Sequence, residues 1–308
     1  MIILGIESSC DETAAAVVID SENTETRILS NVVLSQVEQH RPYGGVVPEV
    51  AARSHLENID FLIREAMTLA KLSFSDLDGV AATGGPGLIG GIIVGIMAAK
   101  AISSHSKKPF IAVNHLEGHA LTARLTSGVK FPYLLLLVSG GHCQLLIVEG
   151  VGNYRRLGTT LDDALGEAFD KCAKMMGLGY PGGAIIEATA VTGDGSRFDL
   201  PRPMLGRREC HFSFSGLKTA IRRQIERLGG QNLGDQDVAD LCASFQRAVG
   251  DVLMDRCRNA LKQYRGYYPN GNTLVVAGGV ASNQALRIRL LELEATENIS
   301  LIVPPAKL

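Results

Sequence analysis

Two stretches of this 308-residue chain share one plan: an apolar strand, a short polar turn and a second apolar strand. The first stretch spans residues 2–19 and the second spans residues 133–148. Each predicts a β-hairpin, and the amides and hydroxyls at such a tip can bind phosphate. One copy in each half of the chain predicts two similar lobes that present hairpins to a nucleotide-like ligand. Two unrelated hairpins in a mixed α/β protein are the alternative.

Apolar periodicity predicts alternating helices and strands outside the hairpins. We expect helices over 48–71, 88–104, 113–126, 162–177 and 284–294, and strands over 78–83, 110–113 and 274–277. The helix over 162–177 opens with Asp162 and Asp163, which suit a helix N-terminus.

Composition indicates an ordinary globular protein, with 46% apolar and 20% charged residues. The net charge is −2, so any contact with nucleic acid must come from local basic patches. Six cysteines are scattered without a Cys-x-x-Cys pair, which argues against a zinc ribbon or a disulfide framework and favours the reducing cytoplasm.

No targeting segment or membrane span is predicted. The chain enters a strand at Ile2 without a preceding basic region. Residues 79–99 carry no charge, but they hold seven glycines and Pro86, which would interrupt a membrane helix. A buried strand, a glycine-rich turn and a closely packed helix fit this stretch better.

His115 and His119 are four residues apart, so on a helix both imidazoles would lie on one face. Such a pair is half of a metal site or a clamp for an anion, although the spacing alone is weak evidence. Zinc proteases use His-Glu-x-x-His. Here Glu117 would point away from the pair, which argues against a protease.

Two glycine turns add to the hairpins. The sequence Gly-Tyr-Pro-Gly-Gly over 179–183 permits close approach of backbone to a ligand. The strand over 274–277 leads through Gly278 and Gly279 into a helix, an arrangement that accepts a phosphate or sugar. Together with the hairpins, these turns favour a nucleotide-binding protein.

Eight motifs in order along the whole chain resemble the TsaD family, the tRNA adenosine threonylcarbamoyltransferases. They are GIESSCDET (5–13), GGPGLIGG (84–91), NHLEGH (114–119), LVSGGH (137–142), GEAFDK (166–171), YPGG (180–183), FSFSGLKTA (212–220) and AGGVASN (277–283). The resemblance implies the actin/hexokinase/Hsp70 (ASKHA) fold, an α/β architecture with duplicated mixed sheets flanked by helices. We expect one lobe over 1–128 and another over 129–308.

The implied reaction moves a threonylcarbamoyl group from threonylcarbamoyl-adenylate to N6 of adenosine-37, in tRNAs that read codons starting with A, and releases AMP. The mixed anhydride has a good leaving group, so catalysis needs orientation and charge stabilisation more than a covalent nucleophile.

The resemblance also implies roles for single residues. His115 and His119 would bind one divalent metal, with iron(II) favoured and zinc the alternative. Implied substrate-binding residues are Leu137, Val138, Ser139, Gly140 and Gly141 for the phosphate and carbamoyl group, Asp170, Gly183 and Glu187 for the ribose, and Asn283 near the base. Asp11 and Glu12 would help to deprotonate adenosine N6; otherwise they cap the turn through hydrogen bonds to backbone.

This sequence departs from the family pattern at one implied metal ligand. The family's last metal ligand is an aspartate that follows a Pro-Pro pair, and this sequence ends just after Pro304 and Pro305. Two neutral ligands hold a divalent ion less securely than a set with a carboxylate. We therefore expect this 308-residue form to bind metal weakly and to transfer poorly.

The resemblance implies tRNA and TsaB-like and TsaE-like proteins as partners, with helices of the first lobe as a surface for the proteins. Residues 202–227 hold seven Lys or Arg against two Glu, and this basic segment either contacts tRNA phosphates or is a solvated helix face. The alternatives in function are a sugar-kinase-like or nucleotide-hydrolysing relative, a metalloprotease, and a non-enzymatic scaffold subunit.

Overall fold

The computed structural model describes residues 1–24, 27–230 and 233–305. The chain divides into two compact units, one from Met1 to Gly128 and one from Val129 onward. Residues 306–308, which follow the Pro304-Pro305 pair, lie outside the described residues.

Unit 1 is a five-stranded mixed sheet with helices. Its elements are β1 (Ile2–Glu7), β2 (Glu12–Ile19), β3 (Ile28–Ser35), α1 (Val37–His40), α2 (Pro48–Ala70), β4 (Gly79–Gly85), α3 (Ile89–Ser106), β5 (Phe110–Asn114) and α4 (His115–Ser127). The strand order is β3-β2-β1-β4-β5. The pairs β1/β2 and β2/β3 are antiparallel, and β1/β4 and β4/β5 are parallel.

Unit 2 is a second five-stranded mixed sheet with helices. Its elements are β6 (Tyr133–Val138), β7 (Cys143–Gly150), β8 (Asn153–Thr159), α5 (Leu165–Met175), α6 (Gly182–Ala190), α7 (Ser215–Arg227), α8 (Asp235–Tyr267), β9 (Thr273–Ala277), α9 (Gln284–Glu297) and β10 (Ser300–Ile302). The strand order is β10-β9-β6-β7-β8, with β6/β7 and β7/β8 antiparallel and β6/β9 and β9/β10 parallel.

The two sheets have the same topology, because β6 to β10 repeat the neighbours and directions of β1 to β5. Both predicted hairpins are present, as β1/β2 and β6/β7. The expected fold of duplicated mixed sheets flanked by helices is confirmed.

Each unit has its own core. In unit 1, Leu4, Val17, Leu62 and Ile63 belong to the apolar layer beneath the sheet. In unit 2 every residue of β6 is buried, as expected for a central strand covered on both faces. The 33-residue helix α8 supplies much of the remaining core.

The predicted helix over 162–177 is shorter in the structure, where α5 spans Leu165–Met175. Asp162 and Asp163 precede it. Asp162 accepts backbone N–H groups at the start of α7, and Asp163 pairs with Lys218 of α7 and with Lys171 of α5. Strands β3, β8 and β10 and helices α1, α6 and α8 were not predicted. A helix in the region of α7 was predicted only as the alternative to a tRNA contact.

Candidate functional site

The first hairpin turn, between β1 and β2, lies on the N-terminal part of α3. The N–H of Leu88 donates to the carbonyl of Ser9 at 2.7 Å. A Cβ on Gly91 would overlap the carbonyl oxygen of Ser8, and one on Gly95 would overlap the Ser8 hydroxyl. The glycines therefore let the helix and the turn approach more closely than any side chain would allow.

The two predicted metal-ligand histidines lie side by side on α4. Asn114 caps this helix by accepting hydrogen bonds from the N–H groups of Leu116 and Glu117, at 2.9 and 3.3 Å. Helix α4 therefore begins at His115. The rings of His115 and His119 pack edge to face with their centroids 4.6 Å apart, so the predicted common face is confirmed.

Glu7, at the end of β1, holds the first of these histidines. One carboxylate oxygen accepts the N–H of Ser9 at 2.5 Å, and the other accepts from the Thr83 hydroxyl and lies 3.2 Å from Nδ1 of His115. Burial alone would raise the pKa of Glu7, but the hydrogen bonds and the charge of His115 lower it to about 2. Glu7 is therefore an ionised acceptor for an Nδ1 proton, and the Ser9 hydroxyl lies 3.1 Å from the same nitrogen. In a neutral ring with the proton on Nδ1, the free lone pair is on Nε2 of His115.

Sequence reasoning missed Glu7. The available signal was an acidic residue at the end of the apolar strand that starts at Ile2.

The donor set fits part of a metal site. Two imidazoles, one of them oriented by a carboxylate, suit iron or zinc. No group of three or more His, Cys, Asp or Glu side chains with metal-binding geometry occurs in residues 1–24, 27–230 and 233–305. Within these residues the pair therefore offers two ligands, which is fewer than a complete metal site needs.

Asp11 and Glu12 lie at the same turn. The carbonyl of Asp11 accepts the N–H of Gln36 at 2.9 Å, which ties the turn to the chain after β3. Partial burial, together with the negative charges of Asp11 and Glu7, raises the pKa of Glu12. A carboxylate with a raised pKa is a better proton acceptor than a free one.

A cavity of about 340 Å³ opens on the sheet face that carries Glu7. It is lined mainly by small apolar residues, including Ala14, Ala16, Val113 and Leu125. Such a lining does not suit a phosphate or a ribose, so we do not assign a nucleotide to it.

The second hairpin turn, in unit 2, is held by the first turn of α5. Ser139 closes the hairpin through its N–H to the carbonyl of His142, at 2.8 Å. The carbonyls of Ser139 and Gly140 accept N–H groups of Gly166 and Glu167, at 3.2 and 3.1 Å. A Cβ on Gly140 or Gly141 would meet nothing within 4 Å. The packing of the protein therefore does not require these two glycines, which border open space.

Leu137 and Val138 lead into this turn and are buried in β6. Their side chains belong to the core, so only their backbone groups are suited to contact a ligand. Gly278, at the end of β9, has φ +98° and lies directly against the carbonyl of Val138. The second hairpin and the Gly278 turn are therefore adjacent.

Asn283 follows the Gly278 turn and is almost fully buried, with 5% of its surface exposed. Its side-chain oxygen caps α9 by accepting the N–H of Leu286 at 2.9 Å, and its amide donates to Gln246 at 2.8 Å. Asn283 thus has a structural role as the N-cap of α9.

Asp170, Gly183 and Glu187 lie around the start of α6. Asp170 accepts the N–H of Gly182 at 2.8 Å, while a Cβ on Gly183 would meet nothing within 4 Å. Glu187 accepts the N–H groups of Gln284 and Ala285, at 2.5 and 3.4 Å. Unit 2 thus connects α5, α6 and α9 through the residues predicted to hold a ribose.

The motif FSFSG binds a carboxylate of the protein itself. Asp162 accepts the N–H groups of Phe214 and Ser215, at 2.7 and 3.2 Å, and the hydroxyls of Ser213 and Ser215, at 2.6 and 2.7 Å. These bonds outweigh the effect of burial and lower the pKa of Asp162. The N-terminus of α7 therefore already holds an anion.

The basic segment 202–227 is only partly available to a partner. Arg202 pairs with Asp251, and Lys218 pairs with Asp163. The arginines of the segment that are exposed are Arg207, Arg208, Arg222, Arg223 and Arg227. A smaller set of cations than the sequence suggested can therefore reach a phosphate backbone.

Helix α3 is long and apolar enough to cross a membrane by length and composition, with 22% of it buried. Its contacts are those of a packed helix, because Gly91 and Gly95 lie against the first hairpin turn. Ile89, Ile93 and Met97 lie one turn apart along its outer side and are exposed.

Solved structures with similar folds support the architecture. The chain is 15% identical to component A of (R)-2-hydroxyglutaryl-CoA dehydratase from Acidaminococcus fermentans, with a TM-score of 0.52 over 99% of this chain and 92% of that one. It is 13% identical to HypF from T. kodakarensis, with a TM-score of 0.64 over 98% of this chain and 45% of that one. At these identities the likeness concerns the fold alone.

Sequence comparison is more specific. The family model TsaD, described as tRNA N6-adenosine threonylcarbamoyltransferase, matches residues 27–308. Relatives with that name are 61% identical in Rhodospirillum rubrum, over 99% of this chain and 85% of the relative, and 61% identical in Paramagnetospirillum magneticum, over 100% and 87%. A third, in Brucella anthropi, is 59% identical over 100% of this chain and 86% of the relative. The chain therefore belongs to the TsaD family of tRNA N6-adenosine threonylcarbamoyltransferases and is a transferase that modifies tRNA.

Proposed function

We propose that the protein transfers the threonylcarbamoyl group from threonylcarbamoyl-adenylate to N6 of adenosine-37, in tRNAs that read codons starting with A. The observation that carries the proposal is 61% identity, over 99% of the chain, to a relative named for this transfer. In the reaction the N6 lone pair attacks the carbamoyl carbon and the bond from that carbon to the phosphate oxygen breaks. AMP leaves, and the N6 proton passes to a base.

Unit 2 would hold the adenylate. The backbone from Leu137 to Gly141 would contact the phosphate and carbamoyl group, which the open space beside Gly140 and Gly141 supports. Asp170, Gly183 and Glu187 would contact the ribose, and Asn283 would lie near the base. Because Asn283 is buried and bound to Gln246, we assign it to shaping the base pocket through the start of α9.

Unit 1 would supply the base and the metal ligands. Of Asp11 and Glu12, Glu12 is the better candidate to accept the N6 proton, because its pKa is raised. His115 and His119 would hold one divalent metal, with iron(II) favoured over zinc. When bound, the metal would stabilise negative charge that develops on the substrate. Glu7 would keep His115 in the tautomer that presents Nε2.

The macromolecular partners follow from the reaction and the family resemblance. The exposed arginines of segment 202–227 would contact tRNA phosphates. A TsaB-like protein would bind the apolar strip formed by Leu56 of α2 and by Ile89, Ile93 and Met97 of α3, all of which are more than half exposed. A TsaE-like ATPase would join this assembly, and the reaction would take place in the cytoplasm.

The test is transfer of labelled threonine from threonylcarbamoyl-adenylate to tRNA, with the TsaB-like and TsaE-like proteins of the same genome added. We expect label in a tRNA that reads an A-starting codon and none when its adenosine-37 is replaced by guanosine. The variants Asp11→Asn and Glu12→Gln separate the two carboxylates. Label that persists in the guanosine tRNA, or full activity in both variants, contradicts the proposal.

A further inference from the structure

Four polar side chains are buried together behind the first hairpin turn. They are Thr13 on β2, Gln36, His40 and His55, and each has 0% of its surface exposed. Two of the four are fully buried histidines, and the proposed function uses neither of them. Their hydrogen bonds allow one consistent assignment of protons.

His55 of α2 contacts the turn directly. Its Nε2 lies 3.1 Å from the carbonyl oxygen of Cys10. A carbonyl only accepts, so Nε2 must carry the proton. Its Nδ1 then accepts from the Thr13 hydroxyl at 2.7 Å, and the Gln36 amide is a second donor at 3.2 Å. Burial lowers the pKa of His55, which agrees with a neutral ring that donates on one side and accepts on the other.

His40 and Gln36 fix that assignment from the far side. Nδ1 of His40 accepts the N–H of Val47 at 3.3 Å, so its Nε2 donates to Oε1 of Gln36 at 3.2 Å. The oxygen of the Gln36 amide therefore faces His40 and its nitrogen faces His55 and Thr13. The backbone N–H of Gln36 also donates to the carbonyl of Asp11 at 2.9 Å. Two successive carbonyls of the turn are thus held by this network.

We propose that His55 is a positioning residue, which fixes the backbone of the Cys10–Glu12 turn and through it the carboxylates of Asp11 and Glu12. This inference rests on the proposed role of those carboxylates. His55 does not touch the reacting groups. It limits the angles at which the two carboxylates leave the backbone, with α3 packed against the same turn through Gly91.

The experiment compares two equally buried histidines. His55→Leu removes the donor to Cys10, and His40→Leu breaks the same network without touching the turn. His55→Gln is the conservative variant, because its amide nitrogen reaches about the position of Nε2. A misplacement of about 1 Å at a reacting group costs about 100-fold in rate. We therefore expect His55→Leu to lower kcat about 100-fold, with KM for tRNA nearly constant. His40→Leu should lower kcat by no more than about tenfold. His55→Gln should retain most of the wild-type kcat.

Hydrogen exchange of the amides over residues 8–13 tests the same point without any catalysis. We expect faster exchange there in His55→Leu, and exchange close to wild type in His55→Gln. Unchanged exchange overturns the inference, as does an equal loss of kcat in both leucine variants. Faster exchange with unchanged kcat also overturns it, provided that Asp11→Asn or Glu12→Gln is impaired. If neither of those two variants is impaired, the proposed role of the carboxylates fails instead, and the inference that rests on it fails with it.

Discussion

Glu7 and Glu12 lie at the two ends of the same hairpin turn, and their surroundings shift their pKa values in opposite directions. Glu7 receives hydrogen bonds from Ser9, Thr83 and His115, so its pKa is lowered to about 2. For Glu12, partial burial comes first among the causes, followed by the charges of Asp11 and Glu7, and its pKa is raised. One carboxylate is therefore a fixed anion and the other is suited to exchange a proton.

Glu12→Gln should stabilise the protein at neutral pH while it impairs transfer. The folded-state pKa of Glu12 lies above its unfolded value near 4.5, so the folded state binds this proton more tightly. Stability is then lost as pH rises from the unfolded pKa through the folded one. The variant should melt higher than wild type at pH 7, and the difference should vanish below pH 4.5.

The matched control is Glu57→Gln, on the exposed side of α2, which should change the melting temperature little at either pH. A lower melting temperature for Glu12→Gln at pH 7 would show that the Glu12 carboxylate is stabilising.

At the scale of elements, close backbone approach explains why several motifs are rich in glycine. The two hairpins and the common face of His115 and His119 could be predicted from sequence, because both depend on local spacing. The side chains that contact these turns could not be predicted. Glu7 meets Thr83 across the parallel β1/β4 pair, and Asp162 meets Ser213 from 51 residues away. Such contacts depend on topology, which periodicity does not contain.

Gly91→Ala in α3 should destabilise the protein strongly, because the added methyl group would overlap the Ser8 carbonyl and lie 2.9 Å from Cδ2 of His55. We expect a loss of about 1–3 kcal/mol, as for overpacked cores with backbone shifts. Gly118→Ala in α4 is the matched control. A Cβ there meets nothing within 4 Å, so we expect a gain of about 0.5–1 kcal/mol from helix propensity. Urea titration measures both, and equal effects would contradict the proposed close packing.

Arg256 ties the segment before α7 to α8. Its side chain is fully buried and bonds to Asp255 and to the carbonyls of Arg207 and Glu209. Arg256→Met should lower the free energy of unfolding by about 2–3 kcal/mol, because it removes the guanidinium that donates to Asp255 and to the carbonyls of Arg207 and Glu209. Arg287→Met, at an exposed position on α9, should change it by less than about 0.5 kcal/mol. A loss below about 1 kcal/mol at Arg256 would mean that water replaces these bonds.

At the scale of the whole molecule, one topology occurs twice and carries different side chains. The first copy places Asp11, Glu12 and the histidine pair near its hairpin, and the second places glycines that border open space. The duplication was predictable because both hairpins keep the same plan. The 33-residue α8 was not predicted, because Asp240, Ser244, Gln246 and Arg256 lie among its buried residues and interrupt the apolar stripe in the sequence.

Because the net charge is only −2, we propose that tRNA binding depends on the exposed arginines of segment 202–227. Arg222→Ala combined with Arg223→Ala should weaken tRNA binding and reduce the slope of log K against log salt by about 1–2. Binding isotherms at several salt concentrations measure this slope, and Arg287→Ala provides the control. An unchanged slope would exclude the segment 202–227 from the tRNA contact.

The carboxylate of Asp162 at the start of α7 has a consequence for ligand competition. An anion tethered to its own receptor has an effective concentration of at least millimolar order. A free phosphate in solution must displace this internal occupant before it can use the Phe214 and Ser215 amides. The start of α7 is therefore closed to outside anions, and Asp162→Ala should open it to inorganic phosphate.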